Sequence, residues 1–120
     1  MNFICLLNIS IWEINLSLER YAKMTYNRVS EKVIFDKVEK QLRKVPEYVV
    51  EKLRAWAMSV EMAGLNEVRK IPGYHDEPLK GNRKGQRSVR LTKSYRAIYT
   101  QEMDGIINLV ILEEVKKHEY

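Results

Sequence analysis

A chain of 120 residues, 45% hydrophobic and 31% charged, has room for one globular domain and a modest core, not for two. The net charge of +5 names no partner by itself, and a single cysteine, Cys5, excludes an internal disulfide. No apolar run reaches the roughly 18 residues of a membrane-spanning helix, so the sequence reads as a cytoplasmic domain without a membrane role.

Residues 1–23 differ from the rest. They are rich in Phe3, Ile4, Leu6, Leu7, Ile9, Ile11, Trp12, Ile14, Leu16 and Leu18, with Asn8 and Glu13 interrupting. The positive start of a secretory signal is missing. Two readings stand. Either Met24 is the natural start and 1–23 is an over-extended reading frame, or the segment is a further strand or helix covering an apolar surface. The first is preferred, which places one domain at 24–120.

Tyr26 to Val29 is predicted as a short strand, and Ser30 as the N-cap of a helix. Ile34, Val38, Leu42 and Val45 then recur at helical spacing. Pro46 suits the first turn of a second helix, whose stripe is Val49, Leu53, Trp56, Val60 and Ala63, with Gly64 as its stop. The two helices are predicted to form a hairpin. Leu65 to Gly85 holds Pro72–Gly73, Pro78, Gly81 and Gly85 and reads as a connection. Ser88 to Thr92 alternates as a half-buried strand does, and Lys93–Ser94 turns into a second strand at Tyr95–Thr100. Asp104–Gly105 is a hairpin signal, and the apolar run Ile106–Leu112 fits a central strand buried on both faces. The predicted fold is α+β, an N-terminal strand and a helical hairpin packed on a small antiparallel sheet.

Charge is concentrated in one place. Lys80, Arg83, Lys84, Arg87, Arg90, Lys93 and Arg96 are seven bases in a stretch without an acid, which leaves the remainder of the chain slightly acidic. Such a run is either a solvated loop or a surface for an anion; the missing acids favour the anion. Arginine forks fit phosphate oxygens, and Tyr95 and Tyr99 lie close enough in sequence to stack on unpaired bases. His75, Asp76 and Glu77 are adjacent and make a poor ligand set, so no metal is expected. No Walker loop, zinc pattern or nucleophile elbow is present, and no cofactor is expected.

Leu79 to Leu91, followed by Ser94-Tyr-Arg-Ala-Ile-Tyr99, resembles the signature region of RelE/ParE-superfamily toxins, and its Gly-x-Arg-x-Gly part is most similar to the HigB-like branch. The ending Glu114 to Tyr120 resembles the His-x-Tyr terminus common in that group. The resemblance spans 24–120. It implies the toxin of a type II toxin–antitoxin system, cutting mRNA in the ribosomal A site without a metal: the 2′-hydroxyl attacks the adjacent phosphate and leaves a 2′,3′-cyclic phosphate. By the same resemblance Arg96 stabilises the transition state, Arg90 supports it, and His118 is the preferred proton-transfer group. Tyr120 orients RNA, and Lys80, Arg83, Lys84, Arg87 and Lys93 hold phosphates. In some relatives a lysine pair occupies the strand that here reads Ser88 and Arg90, and arginine, whose high pKa keeps it protonated, is a poor general base. The implied partners are mRNA and an adjacently encoded antitoxin of helix-turn-helix type, with operator DNA reached only through the antitoxin. Two other readings use the same fold: a ParE-like inhibitor of DNA gyrase, and a non-catalytic nucleic-acid-binding module.

Overall fold

The structure is a computed structural model and describes residues 30–117. The predicted strand at 26–29, the segment 1–23 and the terminal His118 and Tyr120 lie outside the described residues. Strand β1 spans Ser30–Ile34, and helices α1 (Glu39–Leu42), α2 (Glu47–Ala63) and α3 (Leu65–Val68) follow. A two-residue strand, β2, occupies Glu77–Pro78 between short 3-10 turns at Pro72–Tyr74 and Gly81–Arg83. Strands β3 (Arg87–Arg90), β4 (Tyr95–Asp104) and β5 (Ile107–Lys117) complete a five-stranded sheet in the order β1-β5-β4-β3-β2. The class is α+β, as the sequence predicts.

Ser30 is not a helix cap. It opens β1, and the first predicted helix shrinks to the single turn of α1. Ile34 fits a period of two as well as a period of 3.6, and what decides is remote: β1 runs parallel to β5, with Val33 opposite Val110 and Ile34 opposite Ile111. The sheet is therefore mixed rather than wholly antiparallel. Side chains secure this junction. Glu61 accepts the Val33 N–H at 3.0 Å, Glu31 accepts the Leu65 N–H, and Gln41 of α1 accepts the Val115 N–H at 2.8 Å.

Helix α2 forms where the sequence puts it. Pro46 sits just before it, with φ −58° and ψ 145°, and Gly64 ends it at φ +94°, a conformation side chains disfavour. Val49, Leu53, Trp56, Ala57 and Val60 are buried along one stripe and pack on the sheet with Val89, Ala97, Tyr99, Val110 and Leu112; Ala63, in the last turn, is exposed. Trp56 meets Tyr99 at a ring separation of 5.3 Å, tilted by 45°. Gly105, at φ +62°, and Ile106 make the turn between paired Asp104 and Ile107, one residue later than the Asp104–Gly105 signal suggests. β5 is not buried on both faces: Val110, Leu112 and Val115 are covered, while Ile107 is 37% exposed. No helix among the described residues is long and apolar enough to cross a membrane.

One irregularity sets which side chains face outward. Ile98 pairs with Glu114 but Tyr99 pairs with Leu112, so Glu113 is an additional residue, a β-bulge. Up to the bulge, even-numbered residues of β5 (Val110, Leu112) face the core. Beyond it Val115 faces the core, opposite Ala97, and the even-numbered Glu114 and Lys116 turn to the outer face, opposite Ile98 and Arg96. Thr100 donates to Glu113 at 2.8 Å and Lys37 pairs with it at 2.9 Å. Burial opposes the ionised Glu113 carboxylate, but the hydrogen bonds from Lys37 and Thr100 and the Lys37 charge outweigh it and hold its pKa below the ordinary value.

Candidate active site

The side of the sheet away from α2 carries a group of ionic side chains. Register puts Arg90 opposite Arg96, Ser88 opposite Ile98 and Arg96 opposite Lys116, all on this outer face. Alternation is the cause: Val89, Ala97 and Val115 go to the core, so their neighbours must point the other way. Ile98 is 1% exposed yet stands apart from the core cluster.

Arg96 has two hydrogen-bond partners here. Its Nη1 donates to Ser88 Oγ at 2.8 Å and approaches Glu77 Oε1 at 3.3 Å. Ser88 is itself 1% exposed, so one corner of the guanidinium is held from beneath while the side chain keeps 16% of its surface open. Glu77 is much more open, at 61%. Arg83, from the 3-10 turn before β3, reaches Glu114 at 3.0 Å, and Lys116 lies 3.8 Å from the same carboxylate. Arg90 has no ion-pair partner among the described residues. Three cations, Arg83, Arg96 and Lys116, thus meet two carboxylates, Glu77 and Glu114, and Arg90 stands beside them without one, leaving an excess of positive charge.

The other predicted phosphate-binding residues divide. Lys80 and Lys84 are exposed at the two ends of the 3-10 turn at Gly81–Arg83, and Lys93 is exposed in the β3–β4 turn. Arg87 is placed away from this group. It sits opposite Tyr99 on the core side, where its Nε donates to Asp76 Oδ1 at 2.6 Å. The same carboxylate, 1% exposed, accepts the Tyr99 hydroxyl at 2.5 Å. Burial disfavours the charge on Arg87, but the hydrogen bond and charge of Asp76 prevail and its pKa is raised. Burial foremost, then the bond to Asp76, pushes the Tyr99 phenol up to about 12.

The tyrosines need a correction. Tyr99 is fully buried against Trp56 and cannot stack on a base, and Tyr95 is partly buried against the core cluster. Both have the parity of Ala97, the core parity of β4. Sequence reasoning also passed over Glu77, Ser88, Glu114 and Lys116. The signal for three of them was available: once Val89 and Val115 are assigned to the core, residues 88, 114 and 116 belong to the opposite face. Among the described residues no group of three His, Cys, Asp or Glu side chains can hold a metal ion.

No family model matches this chain, and no curated protein matches it. Solved structures do. A chain of the toxin–antitoxin complex RelBE2 from Mycobacterium tuberculosis is 16% identical, with 75% of this chain and 98% of that chain covered and a TM-score of 0.51. A mutant of YafQ from E. coli is 19% identical, covering 75% of this chain and 93% of that chain, with a TM-score of 0.50. The fold is that of the RelE/ParE-like toxins.

Proposed function

We propose that this chain is the toxin of a toxin–antitoxin pair and acts as a metal-independent endoribonuclease on mRNA in the ribosomal A site. The observation that carries this reading is the pairing of Arg90 with Arg96 on the outer face, beside a carboxylate, Glu77, 3.3 Å from Arg96. Like charges at opposed cross-strand positions are unfavourable unless an anion joins them, and arginine forks fit phosphate oxygens.

The chemistry follows from these groups. Glu77 accepts the proton of the 2′-hydroxyl as its oxygen attacks the adjacent phosphorus. Arg96, with Arg90, stabilises the charge that builds on the phosphorane oxygens. The bond from phosphorus to the 5′-oxygen breaks, and His118 gives that oxygen a proton. The products are a 2′,3′-cyclic phosphate and a 5′-hydroxyl. Tyr120 orients the RNA, and Lys80, Arg83, Lys84 and Lys93 attract its backbone. The partner is an antitoxin that covers this positive face.

Purified protein incubated with mRNA-programmed ribosomes, followed by mapping of new 5′ ends, tests the reading. Cuts at A-site codons with cyclic-phosphate ends are expected. Intact mRNA with poisoned DNA gyrase would instead establish the gyrase-inhibitor reading, and intact mRNA with salt-sensitive RNA binding alone the binding module.

A further inference from the structure

Glu77 stands on a weak strand. β2 has two residues, and one is Pro78, which has no N–H to give to a ladder. Its register with β3 comprises Glu77 opposite Ser88 and Pro78 opposite Arg87, continued by one bond from the Leu79 N–H to the Gln86 carbonyl. On the other side His75 takes a left-handed conformation at φ +42°, so the chain enters β2 from a turn. A side chain as exposed as Glu77 is poorly fixed by so short a ladder.

The residue between that turn and Glu77 is Asp76, and it is anchored far better than its neighbours. Its carboxylate is 1% exposed and holds bonds from Arg87 Nε at 2.6 Å and the Tyr99 hydroxyl at 2.5 Å, while its backbone carbonyl lies 3.5 Å from Arg87 Nη2. A buried carboxylate is tolerated only when paired, so these bonds give the chain at Asp76 one favourable place. Alternation then sends the next side chain, Glu77, to the opposite face, over Ser88 and against Arg96.

We infer that the buried cluster of Asp76, Arg87 and Tyr99 is a positioning device for Glu77, holding its carboxylate at Arg96 from the core side of the sheet. The inference rests on the proposed cleavage, with Glu77 as proton acceptor. Arg87, read from sequence as a phosphate ligand, acts here instead through Asp76.

The test is a double-mutant cycle in the full chain on mRNA-programmed ribosomes. Asp76→Asn should lower kcat about tenfold at unchanged KM, and should lower it no further when Glu77→Gln is already present. Tyr99→Phe, which keeps the Arg87–Asp76 pair, should show the same pattern with a smaller loss. Melting curves establish that each variant is folded. A loss from Asp76→Asn that is as large in the Glu77→Gln background, or no loss in folded Asp76→Asn and Tyr99→Phe, overturns the positioning role. Absence of cleavage by the wild-type protein overturns the functional reading itself, and the inference with it.

Discussion

Arg90 and Arg96 stand directly opposite each other on β3 and β4, with their side chains on the same face of the sheet. Arg96 is held by Ser88 and Glu77; Arg90 has no ion-pair partner among the described residues. Opposed like charges cost stability, and a bound anion would relieve that cost.

Arg90→Thr should therefore separate stability from binding. Thermal unfolding should show a gain of up to about 1 kcal/mol. RNA binding should weaken, and the slope of log affinity against log salt should fall by about one. Both measurements are made on the same preparation.

Local backbone chemistry was legible in the sequence: Gly64 ends α2, and the Asp104–Gly105 signal lies one residue from the turn that forms. The alternation from Ser88 placed Arg90 on the face away from Val89. What could not be read depends on partners distant in sequence. Ile34 suits a helix or a strand until β5 lies beside it, and Tyr99 looks available until Asp76 and Trp56 claim it. The extra residue at Glu113 has no local signature, yet it decides which side of the sheet receives Glu114 and Lys116.

Tyr99 gives a pH dependence of known sign. Its folded-state pKa, about 12, lies above the ordinary 10.0, so the neutral phenol is favoured in the folded protein. That stability is fully present below pH 10 and is lost as pH rises towards 12, amounting to about 2–3 kcal/mol over the window. Denaturant unfolding from pH 8 to 12 should show the decline, and Tyr99→Phe should remove this share of it.

Glu31 should matter more than its surface position suggests. Its carboxylate accepts the Leu65 N–H and the Asn108 amide at 3.3 Å, joining β1 to α3 and β5. Glu31→Ala leaves the Leu65 N–H, on a residue only 1% exposed, without that acceptor and should cost about 1–3 kcal/mol in chemical denaturation.

Gly64 is at φ +94° with ψ 145°, where a β-carbon is strained. Gly64→Ala should destabilise by about 1–3 kcal/mol although the nearest atom to the added carbon, a Glu31 oxygen, would be 3.8 Å away. A melting temperature equal to wild type would show that the backbone at this helix end relaxes without cost.

The single-turnover rate of mRNA cleavage on programmed ribosomes, compared between wild type, Arg96→Lys and Arg96→Ala at matched folded fraction, tests the central claim most directly. Losing one stabilising donor at the phosphorane should slow cleavage by about 10²–10³ in Arg96→Ala, and lysine should restore little of it, because it lacks the planar fork. Cleavage by Arg96→Ala at the wild-type rate would contradict the assignment of this face as the catalytic one.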